Sequence, residues 1–163
     1  MITTAPVLFV LGVLSARGSG LVAGVLFGFS SFIMRALARL PAAQGVRAMQ
    51  SINVTVTKSL FVLLSVGTAI GAVLVPILVA ALGPVPGARY LVAGSILYFS
   101  GTFMVTVVYH VPRNNARAVV QPAGTEAIAA WPRYVSGWTD WNHVRTAAAL
   151  AACVSLALAV ATA

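Results

Sequence analysis

Acidic side chains are nearly missing from this chain: Glu126 and Asp140 are the only two, against ten Lys and Arg. Charge of either sign is scarce as well. Only 7% of the 163 residues are charged and 60% are apolar, where a soluble domain carries about 25% charged residues. Such a chain has too little polar surface to cover a globule, so lipid is its expected solvent. Cysteine is down to one, Cys153. That excludes an intramolecular disulfide, a CxxC redox centre and a thiolate metal cluster, and with them the quinone-linked thiol oxidoreductases. There is no Gly-rich phosphate loop, no Ser-His-Asp spacing, no internal repeat and no low-complexity tail. The opening Met1-Ile2-Thr3-Thr4 lacks a basic n-region, so no cleaved leader is expected.

What is present is a set of long apolar runs with basic residues at their ends. A bilayer core of about 30 Å needs roughly 20 helical residues. Four segments meet that demand, at about 18–34, 59–82, 90–109 and 146–163, within a single transmembrane domain spanning 1–163. Arg17 and Arg35 stand roughly 27 Å apart along a helix and can reach opposite interfaces. The breakers Gly83-Pro84-Val85-Pro86-Gly87 predict a tight turn. The reading is an all-α four-helix transmembrane bundle with a long cytoplasmic connection between the third and fourth spans, from Pro112 to Gly137.

Charge sets the expected topology. Arg35, Arg39, Arg47 and Lys58 fall in the 1–2 connection, and Arg113, Arg117, Arg133 and Arg145 in the 3–4 connection. Only Arg17 and Arg89 lie on the other side. Both basic connections are therefore expected in the cytoplasm of a plasma (inner) membrane protein, with both termini outside. The same clustering at span ends argues against nucleic acid as a partner. Gly20, Gly24 and Gly28, with Gly67 and Gly71, form small-residue ridges that permit close helix packing. Packing within the chain is the first reading and a homo-oligomer seam the second.

Polar residues collect toward the basic end. Gln50, Asn53 and Thr57 stand where the second helix is expected to begin. Tyr98, Thr102, Thr106 and His110 run down the third at four-residue spacing, with Tyr109 beside the last. Trp138, Trp141, Asn142 and Arg145 fall at i, i+3, i+4 and i+7 and share a helix face. Amides and imidazoles are costly in lipid, so they should turn inward and line a polar pocket. Each has a plainer reading. The Trp residues could form an interfacial belt, Arg145 a topology anchor, and His143 a headgroup contact. The Thr hydroxyls could bond their own helix, and His110 or an Asn could cap a helix end. Two histidines without carboxylates or thiolates make a poor metal site, so no cofactor is expected; copper or haem on the two histidines is the alternative.

Several stretches resemble the anthrone oxygenase family, also called DUF1772. They are Phe29-Ser30-Ser31-Phe32-Ile33-Met34-Arg35-Ala36-Leu37, Met49-Gln50-Ser51-Ile52-Asn53, Val111-Pro112-Arg113-Asn114-Asn115-Ala116 and Trp138-Thr139-Asp140-Trp141-Asn142-His143-Val144-Arg145-Thr146. Arg117 departs from the pattern, which has an apolar residue there. The resemblance implies a four-helix membrane protein, some relatives of which oxidise anthrones to anthraquinones with O₂. On that reading His110 or His143 is the general base, since imidazole titrates near working pH. Arg145, Asn53, Asn114 and Asn142 would stabilise a developing oxyanion. Trp138 and Trp141 would stack a flat apolar aromatic substrate, with Gln50, Tyr98, Thr102, Thr106 and Tyr109 completing its binding site. The rival is a non-catalytic membrane protein that binds or translocates a small apolar molecule.

Overall fold

A computed structural model describes residues 4–162 of the chain. Helix dominates, and no strand occurs among the described residues. The first rod is α1 (Thr4–Gly28), a π-helical turn (Phe29–Ile33) and α2 (Met34–Arg39) in unbroken succession. It stops where Leu40, the residue before Pro41, turns extended at ψ 153°, because a following proline disfavours helical backbone. Pro41 then opens α3 (Ala42–Thr57), its carbonyl accepting from Gln44 and Gly45. After a break at Lys58–Ser59 comes α4 (Leu60–Leu82). The turn that follows has Gly83 at φ 78° and Gly87 at φ 70°, backbone that only glycine adopts without strain. The third rod is α5 (Ala88–Ile96), π-helical stretches Leu97–Met104 and Thr106–His110, and α6 (Val111–Ala118). The fourth is α7 (Thr125–Ala161), 37 residues long.

Four helices are long and apolar enough to cross a bilayer: Pro6–Arg39, Leu60–Leu82, Ala88–Ala118 and Thr125–Ala161. The chain is an integral membrane protein with an all-α bundle fold. The first rod packs on α4 and α7, and the third rod packs on α4 and α7 from the other side. Away from the basic end the core mixes alanines, Ala23, Ala69, Ala72, Ala149, Ala152 and Ala159 among them, with larger side chains such as Val22, Leu26, Val75, Leu91, Tyr98 and Leu156. Methyl groups at Gly18, Gly71, Gly94 or Gly101 would collide with Thr68, Ser15, Leu156 or Ala148 on the facing helices. Of the ridge glycines expected to pack, Gly71 does and Gly20 lies close to Cys153 of α7, whereas Gly24 and Gly67 look onto open space.

Four expectations are corrected. The long 3–4 connection is almost wholly helical, leaving only residues 119–124 outside α6 and α7. Pro112 does not end the third rod, because the π turn before it already hands the Val111 N–H to Thr106 O, five residues back. Proline then stands in the first turn of α6, where its missing N–H is tolerated. The fourth helix begins at Thr125, not near Thr146, and runs through Pro132, which is exposed. At 1.5 Å per residue it measures roughly 55 Å, well beyond a bilayer core of about 30 Å. Finally, Gln50, Asn53 and Thr57 do not begin the second span. They belong to α3, a separate helix that packs on α7, α6 and α2 in the corner below the end of α4.

Candidate functional site

The buried face of α7 carries a column of polar and aromatic side chains: Trp131, Tyr134, Trp138, Asn142 and Arg145. Their spacings of three and four residues keep them within one stripe. The column is about 21 Å tall at 1.5 Å per residue, and each tier meets a different neighbour.

Arg145 forms the tier nearest the bundle centre and is 5% exposed. Its Nη1 donates to Thr106 Oγ1 at 3.1 Å, and its Nη2 donates to Asn142 Oδ1. Asn142 is 0% exposed. Its Nδ2 donates to Leu26 O at 2.8 Å and to Ser30 Oγ at 2.7 Å. Thr146 Oγ1 donates to Asn142 O at 2.8 Å, so Ser30 is left to donate its own proton to Thr146 across 3.4 Å. Thr102 Oγ1 donates to Arg145 O at 3.1 Å. These bonds run in one direction and fix the guanidinium against neutral groups only. Glu126 and Asp140 are both exposed. Asp140 precedes Arg145 by five residues on one helix, roughly 140° around its axis. Arg145 Nε is buried without a partner among the described residues.

Below it His110, 1% exposed, meets Trp138. The two rings stand edge to face with centroids 5.0 Å apart. His110 Nε2 lies 3.2 Å from Trp138 O and Nδ1 lies 3.5 Å from Val105 O. A neutral imidazole has one N–H, and the shorter contact claims it, which leaves the lone pair on Nδ1. The Trp138 ring also touches Phe29, at 5.4 Å between centroids, and carries the Arg145 guanidinium at 5.3 Å. One tier further, Asn114 Oδ1 accepts from Tyr134 Oη at 2.9 Å and from Trp138 Nε1 at 3.2 Å. At the base Trp131 stacks on Tyr134 and packs against Gly45 of α3.

The arrangement brings together His110, Arg145, Asn142, Asn114, Trp138, Thr102 and Thr106, all anticipated from the sequence. Others stand apart. His143 is exposed. Trp141 is 42% exposed and lies on the outer side, its ring 4.9 Å from Tyr109, which in turn is covered by Arg113. Tyr98 donates to Ser65 O at 3.2 Å, in the apolar core toward α4. Gln50 holds the end of α6, donating to Arg117 O at 2.8 Å and Val120 O at 3.1 Å. Asn53 is the exception: it is part-buried beside Tyr134 of the column, and its Nδ2 has no partner among the described residues.

Two features differ from the expected open polar pocket between the second, third and fourth spans. The network is close-packed, and its third wall is the first rod, through Leu26 and Ser30, not α4. Surface depressions of about 510 and 300 Å³ exist elsewhere and no network residue lines either. Ser30, Thr146 and Tyr134 were not singled out as site residues. The available signals were a Ser pair inside the apolar run 29–34 and spacings of four from Asn142 and Trp138.

No group of three His, Cys, Asp or Glu side chains converges among the described residues. A family model described as Anthrone oxygenase matches residues 2–155. No curated protein and no solved structure matches the chain.

Proposed function

Because the chain belongs to the anthrone oxygenase family, we propose that it is a membrane-embedded oxygenase that turns an anthrone-like or hydroquinone-like aromatic into a quinone with O₂. The observation that carries this reading is Arg145: a buried guanidinium with neutral partners and a free Nε–H. An uncompensated buried cation is costly unless an anion joins it. The enolate of an anthrone is such an anion, and its charge develops during the reaction, where fixed donors help most.

The chemistry closes without a cofactor. A base removes one proton from the ring methylene, and the enolate gives one electron to O₂. The radical pair recombines through a new C–O bond to a peroxide anion, which takes the proton back from the base as a hydroperoxide. Loss of the remaining ring hydrogen as a proton and of hydroxide from the O–O bond, together one water, forms the carbonyl. One anthrone and one O₂ thus give one quinone and one water. His110 is the candidate base, its ring held by Trp138 O at Nε2, with Nδ1 on the side of Val105 O. Trp138 supplies an aromatic wall, and Asn142 and Thr106 aim Arg145. His143 and Trp141 stand outside this network, as a headgroup contact and a member of an interfacial belt. The basic end, which holds the column, faces the cytoplasm.

Protein reconstituted in phosphatidylcholine vesicles and given anthrone under air tests this. Quinone should form faster than in empty vesicles, with one O₂ consumed per quinone and no loss on exhaustive chelation. Quinone formation equal to that of empty vesicles would contradict the oxygenase reading. Stoichiometric copper or iron in an active sample would contradict its cofactor independence.

A further inference from the structure

The first rod and α4 touch closely where Gly18 meets Thr68 and Gly71 meets Ser15. Toward the basic end they part. The gap is a groove of about 510 Å³ lined by Leu21, Val25, Leu60, Phe61, Leu63 and Leu64. Its mouth opens sideways: Leu60 is 81% and Leu63 69% exposed on a helix that crosses the membrane.

Hydrogen bonds fix the groove's height against the Arg145 network. Tyr98 reaches Ser65 O on α4, and Thr102, one turn nearer the basic end, reaches Arg145 O on α7. One turn from Ser65 in the same direction is Phe61, so the groove lies level with the Arg145 backbone, and the guanidinium reaches Thr106 one turn further toward the basic end. Leu26 connects the two. Its side chain belongs to the core on which Phe61 and Leu64 pack, and its carbonyl accepts from Asn142, which holds Arg145.

We propose that this groove is the lateral entrance by which an apolar aromatic, dissolved in the bilayer, reaches the Arg145 network; the proposal rests on the function argued above. The groove walls offer no hydrogen bond, so they select an apolar body. The network behind them offers a cationic N–H, so it selects one enolisable or phenolic oxygen. A flat ring system with a single such oxygen matches both ends. A lipid acyl chain matches the groove alone. The close packing of the network then means that Phe61 and Leu26 must shift to admit the ring, a gating motion of the kind that precedes chemistry in many enzymes.

The test fills the groove. Leu21→Trp and Leu63→Trp enlarge two groove-lining side chains that are 61% and 69% exposed, so both variants should melt like the wild type. With anthrone in phosphatidylcholine vesicles, KM should rise several-fold while kcat holds, because the network is untouched. In parallel, benzophenone, a diaryl ketone that cross-links on irradiation, should label residues 21–25 and 60–64, and excess anthrone should suppress the labelling. Unchanged KM in both variants, or label spread evenly over lipid-facing helices, overturns the entrance and leaves the oxygenase reading standing. Labelling suppressed by a fatty acid but not by anthrone also overturns it. Groove labelling that anthrone suppresses, in a protein that forms no quinone, keeps the entrance and overturns the oxygenase.

Discussion

Arg145 is held by side chains that hold one another. Asn142 uses both amide hydrogens on Leu26 O and Ser30 Oγ, which frees its carbonyl oxygen for the guanidinium. Ser30 sits on the π turn of the first rod, where the widened backbone presents it to α7. Ser30→Ala removes one acceptor from a buried amide, and the stability loss should be about 1 kcal/mol. Activity should fall further than that loss alone explains, with kcat reduced and KM little changed, because the guanidinium is aimed less well. Melting curves beside anthrone kinetics check this; a proportionate loss of folded protein and rate would assign Ser30 to the fold alone. Asn142, Arg145, Trp138 and His110 were legible in the sequence because each is conspicuous beside apolar neighbours. Ser30 was not, since a serine in an apolar helix can satisfy its hydroxyl on its own backbone and leaves no mark. Ser31 does so, donating to Phe27 O at 2.7 Å. Trp141 shares the spacing of the Trp138, Asn142 and Arg145 face but is 42% exposed. It sits roughly 60° around the helix from Trp138, enough to leave the column and rest on Tyr109.

At the level of elements, apolar run length and breakers point to four apolar helices and to the turn between Gly83 and Gly87, while the first and fourth helices run well beyond the expected 18–34 and 146–163. The failures share one cause. Pro112, Pro122, Gly124, Pro132 and Gly137 read as a loop, but tertiary packing and the π turns carry helix through most of them. A π turn has no compositional signature comparable to proline or glycine, and α3 depends on contacts made far away in sequence. Its anchor is Gly45, where an added Cβ would stand 2.7 Å from the Trp131 ring. Gly45→Val should therefore lift α3 from α7 and cost about 1–3 kcal/mol, as overpacking does. A lowered melting temperature together with red-shifted tryptophan emission would record it. An unchanged melt would show that α3 is not clamped at this point.

For the molecule as a whole, charge and packing tell a consistent story. The column on α7 extends from the bundle centre past the start of α4, with α3 and α6 around its lower part. Eight of ten basic residues lie toward that end, which predicts that it faces the cytoplasm. In a Cys153→Ala background, Gln121→Cys should resist a membrane-impermeant maleimide in intact cells, whereas Pro84→Cys should react. The reverse pattern would invert the topology. The central claim is that a buried, uncompensated guanidinium serves an anion formed from substrate, and Arg145→Met tests it most directly. Removing a lone buried charge offsets the acceptor left unpaired on Asn142, so thermal stability should change little, while quinone formation from anthrone drops by about a hundredfold or more, the scale seen when an oxyanion donor is lost. A folded Arg145→Met protein that oxidises anthrone at the wild-type rate would contradict the account.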